Sequence, residues 1–263
     1  MSALTYTLTD WSTMLRRQMR HMIRYPSLTV MLVGMPVVFL LLFVYVFGGT
    51  LGAGLGGVAG GRSAYLEYVV PGILLMTIAG GAQGTAISVA MDMTEGIIAR
   101  FRTMAISRAS VLVGHVVGSL IQTMISMVVV LGVALLIGFR PSAGPPGWIA
   151  AIGLLVLTTF AVTWLSVAFG MVSKSVETAS NIPMFLMLLP FLGSGFVPTD
   201  SMPAGIRWFA EYQPFTPIME TLRGLLMGTP IGNSGILAVA WCMAITLFGF
   251  VWSVRLYERN PLR

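Results

Sequence analysis

Charge is what this chain has least of. Only 9% of its 263 residues are Asp, Glu, Lys or Arg, against about a quarter in an ordinary soluble domain. With 56% hydrophobic residues and a mean hydropathy of +0.88, the chain lacks the polar surface that water requires, so its main solvent is lipid. In hydrocarbon every backbone N–H and C=O must find its partner inside the protein, which leaves helices or closed barrels. The apolar runs are about 20 residues long and do not alternate, so helices are expected.

Other scarcities narrow the function. Cys242 is the single cysteine and lies in an apolar run, which excludes a disulfide within the chain and argues against a structural metal site. Two histidines and nine scattered carboxylates do not supply the nucleophile, base and metal ligands of a membrane-embedded enzyme. Glu67 and Asp92 flank an apolar run, but no run carries a carboxylate or Lys near its middle. Proton and ion relays need such groups, so the energy for uphill transport is expected to enter through a cytoplasmic partner. Neither the glycine-rich stretch Gly48 to Gly61 nor Gly170-Met-Val-Ser-Lys174-Ser175 has the residues of a phosphate-binding loop. No cofactor is therefore expected in this chain. The formal charge of +6 does not signal nucleic acid, because the basic residues sit in short segments between apolar runs, where topology and anionic lipid account for them.

Six spans are expected, at about Ser27 to Phe47, Tyr68 to Ala90, Val111 to Gly138, Trp148 to Val172, Ile182 to Val197 and Gly235 to Val254. They form a single transmembrane domain over residues 1–263: a cytoplasmic interfacial helix (1–26), the six-span bundle (27–254) and a cytoplasmic tail (255–263). With the amino terminus inside, Arg16, Arg17, Arg20, Arg24, Arg100, Arg102, Arg108, Lys174, Arg255, Arg259 and Arg263 face the cytoplasm, and only Arg62, Arg140, Arg207 and Arg223 lie outside. That asymmetry places both termini in the cytoplasm. Asp10 caps the amino-terminal helix, in which Trp11, Met14, Leu15, Gln18 and Met22 oppose the arginines. Such a helix lies on the inner leaflet. The stretch Gly48 to Gly61 reads as a flexible outer connection.

Between the last two spans, Pro198 to Gly228 holds two pieces of about ten residues, too short to cross a bilayer. They read as re-entrant or interfacial helices on the outer side, the first begun by Asp200 or Ser201 with Pro203 and carrying an apolar stripe of Ile206, Phe209 and Ala210, the second ended by Gly228. In the third span His115, Ser119, Gln122 and Ser126 share one face. Two readings stay open for them: hydrogen-bond glue between helices, or contacts to a polar part of a substrate. Gly114-His-Val-Val-Gly118 and Gly80-Gly-Ala-Gln-Gly84 permit close helix approach.

Two stretches resemble type 2 ATP-binding-cassette (ABC) permeases, in particular the daunorubicin-resistance branch of exporters. The first is Asp92-Met-Thr-Glu95-Gly-Ile-Ile-Ala-Arg100-Phe-Arg102-Thr-Met-Ala-Ile-Ser107-Arg108, although the family often has Pro where Ala105 stands. The second is Phe196-Val-Pro198-Thr-Asp-Ser-Met-Pro203, continued by Trp208-Phe-Ala-Glu211-Tyr-Gln-Pro214 and Pro217-Ile-Met-Glu220-Thr-Leu-Arg223-Gly224. The resemblance implies a multi-pass protein of the bacterial plasma membrane that pairs with a second permease chain, most simply a copy of itself. A separate ATPase subunit would hold ATP and Mg and drive outward movement of amphipathic small molecules, namely antibiotics, drugs or lipid-like compounds. Lipid or glycan-intermediate export by the same architecture is the alternative. It further implies that Asp92, Glu95, Arg100, Phe101, Arg102 and Arg108 couple to the ATPase, and that the substrate path runs along the second and fifth spans. Gln83, Thr85, Asn181, Met184, Phe185 and Met187 are the path candidates, with Pro203, Pro214, Glu220 and Arg223 marking the outer segment.

Overall fold

The protein is described by a computed structural model over residues 26–56, 61–94 and 108–259. Within them every regular element is helical. In chain order they are α1 (Pro26–Leu42), a π-helical turn (Phe43–Phe47), α2 (Gly48–Gly56), α3 (Arg62–Thr94), α4 (Arg108–Leu136), α5 (Pro145–Val172), α6 (Val176–Asn181), α7 (Met184–Leu188), a 3-10 turn (Thr199–Ser201), α8 (Ala204–Tyr212), α9 (Phe215–Met227) and α10 (Ser234–Arg259). Among the described residues five stretches are long and apolar enough to cross a membrane: Val30–Gly54, Arg62–Thr94, Leu112–Leu136, Pro145–Val172 and Ser234–Glu258. They correspond to the expected first, second, third, fourth and sixth spans. The amino-terminal interfacial helix falls outside the described residues.

The expected fifth span differs. Ile182 to Val197 is not one helix but the short α7, preceded by α6 and followed by turns from Leu189 to Phe196. Its side chains are apolar enough for a span, but Pro183 and Pro190 each remove a backbone donor, and Gly193 and Gly195 let the turned chain pack closely against Gln213 and Met219. The reading of Gly48 to Gly61 as a loop also needs correction, because Gly48–Gly56 continues the first span as helix. An apolar solvent rewards internal backbone hydrogen bonds enough to override the low helix propensity of glycine. Here glycine also serves packing, since any Cβ on Gly52 would collide with the backbone of Gly61 as the chain turns back.

Helix α3 is the axis of the bundle, packed by α1, α2, α4, α5, α6, α7 and α9. Its 33 residues span about 50 Å, more than the ~30 Å hydrocarbon core, so its ends emerge from lipid. Tyr65, Val69, Ile73, Leu75 and Ile78 are wholly enclosed. Small residues set the helix crossings. A Cβ on Gly170 of α5 would lie 2.6 Å from Ala86 O of α3, and one on Gly249 of α10 would lie 2.6 Å from Leu165 N of α5. Both helix pairs therefore touch backbone to backbone, as close packing in lipid favours. Cys242 is buried in the α5–α10 contact, its Sγ 3.4 Å from Thr158 Oγ1.

Candidate functional site

The broken segment from Val176 to Val197 is the feature that sets this bundle apart from a set of plain helices. Interrupting a helix strands carbonyl groups, and in apolar surroundings each must be met by another donor. Side chains from three other places meet them here. Tyr65 Oη of α3 donates to Phe196 O at 3.1 Å, Gln213 Nε2 to Leu189 O at 2.9 Å, and Arg223 of α9 to Ser194 O at 2.7 Å. The same guanidinium donates to Tyr68 O at 3.1 Å and lies 3.8 Å from the centre of the Tyr68 ring. Glycines make this reach feasible. A Cβ on Gly193 would stand 2.6 Å from Thr216 Oγ1, and one on Gly72 would stand 2.7 Å from Gly195 O. Phe191 and Phe196 stack with centroids 4.3 Å apart, and Phe43 of the first span closes on Phe196 at 4.6 Å.

Of the path candidates, Asn181, Met184 and Phe185 lie on the exposed side of the broken segment, Phe185 being 69% exposed. Met187 is half-buried beside them. Gln83 faces the same segment from α3 and donates to Ser180 O at 2.8 Å. Thr85 is elsewhere: it is buried against α4, its hydroxyl 2.7 Å from Ser119 Oγ and 2.9 Å from Gly81 O. The surface formed by the other five mixes flexible thioethers and an aromatic ring with two amides, which suits a ligand that is mostly apolar with a few polar points.

Among the coupling candidates, Glu95, Arg100, Phe101 and Arg102 lie outside the described residues, and Arg108 opens α4. Asp92 is described, in the last turn of α3. It is buried, with Oδ2 3.0 Å from Nε2 of the buried His115 of α4. Sequence reasoning placed the two in separate roles, and only the packing of α4 against α3 brings them together. His115 and Ser119 thus serve as contacts between α3 and α4, whereas Ser126 bonds within its own helix, to Gln122 O at 3.0 Å.

The segment between the broken stretch and α10 has the two short helices expected of it. Pro203 precedes α8 and Pro214 precedes α9, where the missing N–H of proline has no helical role. Gly228 ends α9 with a φ of 67°, the left-handed cap that glycine tolerates best. Glu220 accepts from Ser234 Oγ at 2.8 Å, tying α9 to the start of α10. The stripe on α8 is not packed as a unit. Ala210 is buried, while Ile206 and Phe209 are exposed alongside Trp208 and Tyr212. Gln213, missed by the sequence reading, is identifiable only from the carbonyl it meets.

The ABC-2 type transporter family matches residues 9–227 of this chain. The chain is 28% identical over 229 residues to the daunorubicin resistance ABC transporter permease protein DrrB1 of Streptomyces coeruleorubidus, covering 87% of this chain and 77% of that protein. It is 25% identical over 180 residues to the probable doxorubicin resistance ABC transporter permease protein DrrC of Mycobacterium tuberculosis, covering 68% of this chain and 65% of that protein. A helical membrane bundle with a family match that takes in its first four long helices, the broken segment and both short helices belongs to the ABC-2 type transporter family, as a membrane-spanning permease subunit.

Proposed function

We propose that this chain is the permease half of a bacterial plasma-membrane ABC exporter that moves amphipathic small molecules outward, with ATP and Mg held by a separate ATPase subunit. The observation that carries the reading is the exposed surface of Asn181, Met184 and Phe185 next to Gln83. A large exposed aromatic and an amide on an interrupted helix, with a second amide facing them from α3, are suited to a ligand with an apolar body and few polar groups. The relatives named for daunorubicin and doxorubicin resistance point to the same class. A second copy of the chain would wall the path on its open side, and Met187 would line it. Both termini would lie in the cytoplasm, and the segment from Asp92 to Arg108 would carry the ATPase contact.

The test is to co-express the chain with a candidate ATPase, reconstitute the complex in proteoliposomes, and follow ATP hydrolysis and transport. Planar amphipathic antibiotics, including anthracyclines, form one panel, and phospholipids and lipid-linked glycans the other. Hydrolysis stimulated by the first panel, with outward transport, is the expected result. Stimulation by the second panel alone would transfer the assignment to lipid or glycan-intermediate export. Stimulation by neither, from an assembled complex, would refute the proposal.

A further inference from the structure

We propose that Asp92 and His115 form a clamp that holds the ends of α3 and α4 in register, so that motion of the segment between them reaches both helices together. This inference rests on the coupling role given above to that segment. Asp92 lies two residues from the end of α3 at Thr94, and His115 seven residues beyond the start of α4 at Arg108. Among the described residues they form the side-chain hydrogen bond between the helices that lies nearest to the intervening segment, beside the apolar cluster of Val89, Met93, Leu112 and Val116. Below them a seam continues between antiparallel helices, with Thr85 bonded to Ser119 and then Gly81 against the Thr123 side chain. The steps 92, 85, 81 on α3 and 115, 119, 123 on α4 follow single faces of both helices.

The three contacts differ in kind. The innermost is a packing contact that only a glycine permits, and the next joins two neutral hydroxyls. The Asp92–His115 contact joins two ionisable groups, both buried, and breaking such a pair costs a buried group a polar contact that apolar surroundings do not replace. His115 Nδ1 has no hydrogen-bond partner among the described residues, so the polar contact that orients the imidazole there is the one to Asp92. A pair serving only as glue would work anywhere along the seam. This one is the polar contact nearest the ends of the two helices, and the deeper contacts remain to hold the fold when it is cut. Its loss should therefore free the helix ends without unfolding the protein.

Two measurements test the clamp. The first uses the chain alone in nanodiscs, in a Cys242→Ala background, with spin labels at positions 91 and 113. A narrow distance distribution is expected for the wild-type pair and for His115→Gln, which retains a donor toward Asp92, and a broadened one for His115→Phe. The second uses the assembled transporter. His115→Phe should retain the ATPase on purification while transport per ATP hydrolysed falls at least about fivefold, and His115→Gln should recover most of it. The double variant Asp92→Leu/His115→Phe removes both members of the pair and should be as uncoupled as His115→Phe. It carries the same comparisons should the single variant fail to reach the membrane. Unchanged distances, unchanged transport per ATP, or full recovery in the double variant would each overturn the clamp, the last by showing that packing alone suffices. A wild-type chain that binds no ATPase would refute the coupling reading and the clamp with it, a failure seen before any substitution is made.

Discussion

Replacing Arg223 is the sharpest test of how this bundle tolerates a broken helix. The guanidinium supplies Ser194 O at 2.7 Å and Tyr68 O at 3.1 Å and stacks on the Tyr68 ring at 3.8 Å. Hydrogen bonds from a charged donor are worth about 1.5–3 kcal/mol each, and a partly desolvated cation–π contact about 1–2 kcal/mol. These terms do not add in full, because the same three groups share one side chain and its desolvation opposes them. A net loss of about 3 kcal/mol is expected for Arg223→Ala. Arg223→Lys keeps the charge but not the fork that serves two carbonyls at once, so a loss of about 1–2 kcal/mol is expected. Tyr65→Phe removes a single neutral hydrogen bond to Phe196 O and should cost about 1 kcal/mol. Unfolding by SDS titration in bicelles ranks the three variants. If Arg223→Met were as stable as the wild type, the stranded carbonyls would be satisfied without the guanidinium, and the bracing argument would fail.

Other outcomes follow from the same geometry. Gly72→Val should abolish folded protein, since its Cβ would stand 2.7 Å from the backbone at Gly195, whereas Gly34→Ala, with nothing within 4 Å, should be silent; the yield of monodisperse protein in detergent distinguishes them. A cysteine at Ser63, placed in the Cys242→Ala background, should be labelled by impermeant maleimide from outside intact cells, and labelling from the cytoplasmic side alone would reverse the topology. Glu95→Ala and Phe101→Ala leave the count of basic residues intact, so an anchoring role predicts no effect. The coupling role predicts a loss of about 2 kcal/mol in ATPase association, read by co-purification.

What could be read from the sequence divides along a physical line. Long apolar runs report side-chain solvation, and the five long helices fall where those runs lie. Hydropathy is blind to the backbone, so the apolar run from Ile182 to Val197 reads as a span although Pro183 and Pro190 deny it a continuous ladder. The opposite error arose at Gly48–Gly56, where glycine was weighed as it would be in water. Gln83 and Thr85 were assigned to one path, yet residues two apart on a helix point about 200° apart. The structure accordingly turns Gln83 to Ser180 and Thr85 to Ser119. Side-chain partners remote in sequence, such as Arg223 with Ser194 or Asp92 with His115, have no periodic signal and needed the fold.

The two halves of the bundle are held by different forces, and that difference bears on how it can move. Helices α3, α5 and α10 meet at glycines with backbone against backbone, contacts that forfeit about a quarter to a half of their dispersion energy for a gap of ~0.5–1 Å. The broken segment is instead suspended from Tyr65, Gln213 and Arg223 through hydrogen bonds to its stranded carbonyls. Side-chain donors with rotatable bonds can follow a carbonyl through a small displacement or exchange it for another, whereas a helical ladder cannot yield without losing several bonds at once. Its outer side presents Met184, Phe185, Leu188 and Leu192, which suit varied apolar neighbours because none of them demands a fixed polar partner. Alternating access requires an element that changes its neighbours while the rest of the bundle stays packed. The segment from Val176 to Val197 meets that requirement on both of its sides, with adjustable bonds inward and undemanding contacts outward, and α3 provides the fixed surface against which it would move.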